Sequence, residues 1–157
     1  LVATRAAFAD VYRLEYPGLV AVATALAGDA EAEDLVQDTM LKALIRWEHV
    51  GDLDRPGAWC HHVLVNACRS LHRRITVQRR FLSRLRRQEP ATGGPSPDVL
   101  AFWIAVRRLP ERPRMVMALH YAGDLTVPDV AAILGVPEGT VRSDLTRARS
   151  ALENELR

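Results

Sequence analysis

Residues 126–152 read TVPDVAAILGVPEGTVRSDLTRARSAL, and the spacing inside this stretch decides the fold of the last third of the chain. Thr126 is placed to cap a helix, Pro128 is tolerated in a first helical turn, and Asp129, three residues after the cap, completes an acidic capping arrangement. Val130, Ala131, Ile133 and Leu134 supply that helix with an apolar side. Gly135 follows where the chain needs a positive φ to turn sharply. A second helix starts near Glu138 and runs to about Glu155, burying Val141, Leu145, Ala148 and Leu152. A small residue at Ala131, a glycine four on and Val141 six beyond that is the spacing of a helix-turn-helix. Arg142, Ser143, Thr146, Arg147 and Arg149 fall on the outer side of the second helix. An arginine at its start can reach base edges, and hydroxyls and further arginines can hold phosphates. A small helical bundle with no nucleic-acid role would share the apolar pattern, so only the outward residues separate the two readings.

Leu109–Tyr121 (LPERPRMVMALHY) reads as a helix opened by prolines, with Met115, Val116, Leu119 and Tyr121 on its buried side. Pro90–Pro97 (PATGGPSP) is the strongest break in the chain and has linker composition. Gly57–Arg74 (GAWCHHVLVNACRSLHRR) reads as one long helix with an apolar stripe of Trp59, Val63, Leu64, Ala67 and Leu71. His62, Asn66, Arg69 and Arg73 recur at four, three and four residues and form a polar, basic stripe. Such a stripe can offer hydrogen bonds to bases or phosphates beside an aromatic that supports an unstacked base, and a row of solvated arginines looks similar. Gly51–Gly57 reads as a loop. Glu31–Trp47 forms an amphipathic helix whose core side is Ala32, Leu35, Val36, Thr39, Met40, Ala43, Leu44 and Trp47. Its other side carries Asp34, Gln37, Asp38, Leu41 and Ile45, which fits either a docking surface for a basic partner or a solvated acidic face. Nearer the N-terminus, Tyr16-Pro17-Gly18 is expected to interrupt a helical stretch that ends at Gly28-Asp29. No run alternates with period two, so the expected fold is all-α. Two small helical domains, 1–78 and 99–157, are joined by an Arg-rich flexible linker, 79–98.

The net charge of +2 conceals a segregation along the chain. Residues 1–54 sum to −6, residues 55–88 carry nine arginines and no acid, and residues 89–157 sum to −1. A basic block in a near-neutral chain points to a partner bearing phosphates or acidic groups. Cys60 and Cys68 are too few and too close for a disulfide framework, which favours a reducing, cytoplasmic setting. No apolar run approaches the roughly 18 residues of a membrane span, so no membrane insertion is expected. Cys60, His61, His62, Cys68 and His72 invite a zinc site, but His61 and His72 are eleven residues apart, roughly 16 Å along a helix. No metal and no other cofactor is therefore expected. Nucleophile–base pairings, Gly-rich phosphate cradles and HExxH-like motifs are missing, so the chain reads as a non-enzyme with no catalytic residues.

Three stretches together resemble a bacterial RNA polymerase sigma factor of the extracytoplasmic-function (ECF) type, over roughly residues 8–155. AEAEDLVQDTMLKALIRW (30–47) is similar to the family's polymerase-docking helix. RPGAWCHHVLVNACRSLHRR (55–74) resembles its helix for the minus-ten promoter element, with Trp59, Asn66 and the Arg73-Arg74 pair on the pattern. Residues 109–152 resemble its helix-turn-helix for the minus-thirty-five element. The resemblance implies that Asp34, Gln37, Asp38, Leu41 and Ile45 contact the clamp helices of the largest subunit of core RNA polymerase. It implies that Trp59, His62, Asn66, Arg69, Arg73 and Arg74, with the loop 48–58, open promoter DNA and hold minus-ten bases. Arg142, Ser143, Thr146, Arg147 and Arg149 would enter the minus-thirty-five major groove, and the linker would run through polymerase. The flap of the second-largest subunit and an anti-sigma factor are further partners that the resemblance brings in. Several positions depart from the pattern: Asp144 stands where a base is usual, Ser70 where an Asp is common, and His61-His62 where residues are apolar or basic. The linker is also richer in Arg than the usual acidic one. An acid at 144 facing phosphate would be repulsive, so it is expected either to pair with Arg147 or Arg108 or to mark an altered promoter preference.

Overall fold

A computed structural model describes residues 6–82 and 96–157, all helix and connecting turns among those residues. The N-terminal lobe comprises α1 (Phe8–Ala27), α2 (Asp29–Ile45), the single turn α3 (Trp47–Val50) and α4 (Pro56–Leu82). The C-terminal lobe comprises α5 (Pro97–Arg108), α6 (Glu111–Met117) with a π-helical continuation over Ala118–Ala122, α7 (Val127–Leu134) and α8 (Glu138–Glu155). Of the linker expected at 79–98, residues 79–82 continue α4 and 97–98 open α5, while 83–95 lie outside the described residues.

Helix α1 runs unbroken through Pro17, against the expected interruption. A proline inside a helix costs about 3 kcal/mol through its lost N–H and its ring clash. Leu19, Val22, Ala23 and Leu26, one turn further on, are buried against the other helices. Each Leu or Val so buried contributes about 1.5–3 kcal/mol, so packing outweighs the local defect. Gly28 then ends the helix at φ +89°, its N–H bonding the Thr24 carbonyl. Trp47 ties the N-terminus to this lobe by donating its Nε1–H to the Ala6 carbonyl at 3.0 Å and meeting the Phe8 ring edge-on.

In α2 the expected core side holds except at Leu44, which is 51% exposed. Ala32, Val36, Thr39, Met40 and Ala43 complete a stripe wide enough for contact with α1 and α4, which leaves Leu44 beyond its edge. In α4 the buried line is Cys60, His61, Leu64, Val65 and Cys68, while Trp59, Val63, Ala67 and Leu71 are half-buried. The apolar stripe is thus rotated from the expected one: two small thiols and His61, whose Nε2 lies 3.4 Å from Glu15 Oε2, enter the core.

The C-terminal lobe follows the spacing of its sequence closely. Thr126 accepts the Asp129 N–H, Gly135 adopts φ +66° and ψ +36°, and Val130, Ala131, Ile133, Val141, Leu145, Ala148 and Leu152 are buried. The helix preceding it departs from expectation. It widens to π geometry, with Gly123 N–H bonded to the Ala118 carbonyl, and Tyr121 turns outward, 45% exposed. Gly123 is required at that bend, since a Cβ there would lie 2.9 Å from Val22 Cγ2 and 2.7 Å from the Leu119 carbonyl oxygen. Through this close approach, and through α5 on α1 and α7 on α4, the buried side chains of both lobes form one continuous core.

Candidate nucleic-acid interface

Three helical faces carry the residues singled out above. On α2, Asp34, Gln37, Asp38, Leu41 and Ile45 are all exposed, and Leu44 joins the two apolar members. Three large aliphatic side chains next to carboxylates can bury area against a partner helix while the acids pair with its basic groups.

On α8, Arg142, Ser143, Thr146 and Arg147 line one shallow concavity of about 350 Å³. Arg142 pairs with Glu138 at 3.1 Å, and the Thr146 hydroxyl donates to the Arg142 carbonyl. Arg149 stands apart from this group. Its Nε–H donates to the Tyr121 hydroxyl at 2.7 Å, and its guanidinium lies 5.6 Å from that ring's centre. Tyr121 therefore holds Arg149, a role its place in an apolar pattern did not signal.

Asp144 does not face outward on this helix. It is fully buried and accepts from Arg112 Nε, with a second bond from Nη2 at 3.3 Å. Neither Arg147 nor Arg108 is its partner, since Arg108 instead pairs with Glu155. Two positions after Arg142, the helical turn points residue 144 toward α6, so the acid anchors α8 to α6 and does not face solvent. The pair lies 32 residues apart in sequence, and no local pattern could reveal it.

On α4, Trp59 is half-buried, Arg74 is exposed, and the polar stripe is internally hydrogen-bonded. Arg69 Nη1 donates to Asn66 Oδ1 at 3.4 Å, Asn66 Nδ2 to His62 Nε2 at 3.1 Å, and His62 Nδ1 to the Ile133 carbonyl at 2.9 Å. Arg69 Nε lies 2.9 Å from Glu111 Oε1, and Arg73 Nη2 donates to that oxygen at 3.4 Å. Arg55, just before α4, pairs with Asp129, whose carboxyl is held below its ordinary value chiefly by that guanidinium. The stripe is thus brought together and meets acids of the other lobe.

The Cys and His side chains weighed for zinc are dispersed. Cys60 and Cys68 are both buried free thiols, pushed up by burial to about 11 and about 12. His72 accepts from Arg114 Nη1 at 3.2 Å, and no group of three His, Cys, Asp or Glu among the described residues could hold a metal. Among the same residues no helix is long and apolar enough to cross a membrane.

The family described as sigma-70 region 2 matches residues 11–81, and sigma-70 region 4 matches residues 101–152. The chain is 34% identical to the ECF RNA polymerase sigma factor EcfG of Rhodopseudomonas palustris over 149 residues, 87% of this chain and 77% of that protein. It is 32% identical to the ECF RNA polymerase sigma factor SigM of Mycobacterium tuberculosis over 166 residues, 94% of this chain and 76% of that one. Its fold is similar to the sigma factor RpoE of Bartonella quintana, solved in complex with the anti-sigma factor NepR. That likeness has a TM-score of 0.74 at 30% identity and covers 95% of this chain and 96% of the other.

Proposed function

The chain belongs to the ECF RNA polymerase sigma factors, and from that membership we propose which of its surfaces meet polymerase and which meet promoter DNA. As a sigma factor it binds core polymerase, recognises the minus-ten and minus-thirty-five promoter elements and directs transcription initiation. It works in the cytoplasm without a cofactor, and the phosphoryl chemistry is left to polymerase. Residues 1–78 form the polymerase-docking and minus-ten domain, 79–98 the linker, and 99–157 the minus-thirty-five domain. The flap of the second-largest subunit takes the latter, and an anti-sigma factor is a further partner.

Asp34, Gln37, Asp38, Leu41 and Ile45 dock on the basic clamp helices of the largest subunit. Trp59, His62, Asn66, Arg69, Arg73 and Arg74 hold the melted minus-ten strand. Extruding a base costs a few kcal/mol, which contacts to its face and edge offset. Arg142, Ser143, Thr146 and Arg147 read the minus-thirty-five groove, with Arg149 beside them on the backbone. The observation that carries this division is the sidedness of α8. It buries Val141, Asp144, Leu145, Ala148 and Leu152 and turns two arginines and two hydroxyls into one outward concavity.

Pull-down with core polymerase tests the docking face. The double variant Asp38→Arg with Leu41→Arg is expected to lose binding at least tenfold, and retention equal to wild type would refute the assignment. Arg142→Ala is expected to lower transcription in vitro mainly on promoters with an intact upstream element. Equal loss on templates lacking that element would remove the base-reading role.

A further inference from the structure

Arg149 is held in place by a side chain from outside its own helix. Its Nε–H donates to the Tyr121 hydroxyl at 2.7 Å, and the guanidinium carbon lies 5.6 Å from the centre of that ring. Tyr121 is itself fixed. The His120 ring meets it edge-on with centroids 4.9 Å apart, and His120 Nδ1 lies 2.8 Å from the Leu125 carbonyl oxygen in the turn before α7. Both rings belong to the π-helical stretch Ala118–Ala122, a geometry that recurs at functional sites. Residues 114–119 are buried without a break, and Tyr121 is exposed directly after them. Arg149 also shares a side of α8 with Arg142. Seven residues at about 100° apiece fall about 20° short of two full turns, and they separate the two arginines by roughly 10 Å along the axis. A recognition helix enters the major groove by its N-terminal residues, and that groove is about 8.5 Å deep. With Arg142 at the base edges, Arg149 therefore stands at the level of the phosphates that wall the groove.

We propose that Tyr121 is a positioning residue for promoter binding: it holds Arg149 on the rim of α8 as a preset clamp for one DNA phosphate beside the minus-thirty-five groove. The inference rests on reading α8 as the helix that enters that groove. A guanidinium carries five N–H donors in a rigid fork. Tyr121 takes the Nε–H, which leaves the edge formed by the two Nη groups to meet two phosphate oxygens. The phenol is neutral, so it orients the arginine without offsetting its charge, whereas the Glu138 carboxylate at 3.1 Å offsets that of Arg142. The ring face adds a cation–π attraction that likewise keeps the positive charge. An arginine already ordered has less freedom to lose on binding, and ordering one long side chain in advance is worth about two- to tenfold in affinity. A phosphate carries no sequence information. The clamp therefore raises affinity on every promoter alike and leaves base preference to Arg142 and its neighbours.

The test uses the full chain and a fluorescein-labelled duplex of about 25 base pairs, selected from a random-sequence library by binding to wild type, with affinity read by anisotropy across a salt series. Tyr121→Phe keeps the ring and removes only the acceptor oxygen. It is expected to weaken binding about threefold with the salt slope unchanged, because Arg149 still meets its phosphate once bound. Arg149→Ala is expected to weaken binding about tenfold and to reduce the slope of log affinity against log salt by about 1. Tyr121→Phe added to Arg149→Ala should bring no further loss. That result separates positioning from a structural role of the tyrosine, since a loosened lobe would weaken both backgrounds. Circular dichroism and the urea midpoint check that each variant is folded. Wild-type affinity for Tyr121→Phe overturns the positioning role, and so does an equal loss with and without Arg149. Wild-type affinity for Arg149→Ala, with Arg142→Ala still weakened, overturns the clamp and leaves α8 standing as the groove helix. If neither arginine matters, the reading of α8 as the DNA helix falls, and the clamp with it.

Discussion

Gly135 and Gly139 flank the turn of the helix-turn-helix, and the same substitution at each is expected to change stability in opposite directions. A Cβ built on either glycine meets no heavy atom within 4 Å, so packing drops out and only the backbone decides. Gly135 lies at φ +66° and ψ +36°, where an L-residue pays roughly 1–2 kcal/mol. Alanine also lowers the entropy of the unfolded chain, which returns about 0.4–1 kcal/mol. Gly135→Ala should therefore destabilise by about 1 kcal/mol, or about 3 °C in Tm for a chain of this size. Gly139 is the second residue of α8, in right-handed backbone, where Gly costs up to about 1 kcal/mol relative to Ala in a helix interior and less in a first turn. Gly139→Ala should stabilise by about 0.5 kcal/mol. Urea denaturation of the two variants beside wild type measures the difference, expected near 1.5 kcal/mol with unchanged m-values. Gly135→Asn, which tolerates the left-handed region better, should recover part of the loss. A Gly135→Ala protein as stable as wild type, or two variants shifted the same way, would refute the claim that φ alone sets the cost.

The buried Asp144–Arg112 pair and the exposed Arg142–Glu138 pair should separate stability from DNA binding. Arg112→Ala leaves a buried carboxylate without its partner and is expected to lower Tm by several degrees, whereas Arg142→Ala should leave Tm within a degree and weaken binding to promoter duplex. Arg147→Ala, removing one phosphate contact, should reduce the slope of log affinity against log salt by about 1, and an unchanged slope would exclude that contact. Cys60 and Cys68, with thiols raised to about 11 and about 12, should not react with a disulfide reagent at pH 8 in the native protein. Both should react once urea unfolds it, and rapid native labelling would contradict their burial. The Asp129 carboxyl is depressed by Arg55, so the pair's contribution to stability is complete above the ordinary value of 3.8 and lost as pH falls from there through the lower native value. The difference in urea midpoint between wild type and Asp129→Asn should accordingly be flat from pH 8 to about 5 and shrink only below 3.8. A decline near pH 6 would assign the effect to another group.

Local chemistry made much of this molecule legible in its sequence. The Thr126 cap, the left-handed Gly135 and the inward Val141, Leu145, Ala148 and Leu152 are properties of residues a few positions apart, so spacing alone determined the C-terminal motif. The acidic outward side of α2 and the basic stripe of α4 were readable for the same reason, because helical periodicity fixes which residues share a face. What tertiary structure alone decided is what each face meets. Pro17 stays helical because Leu19, Val22, Ala23 and Leu26 of the same helix are buried against the other helices, and Cys60, His61 and Cys68 enter the core because α1 packs on α4 and places Glu15 near His61. Asp144 is an anchor because Arg112, 32 residues away, is brought beside it. Glu111 and Asp129 met Arg69, Arg73 and Arg55 across 38 to 74 residues, which no local spacing encodes. Periodicity orients a side chain on its own helix, but the partner that turns an exposed arginine into an occupied one comes from the packing of helices that are distant along the chain.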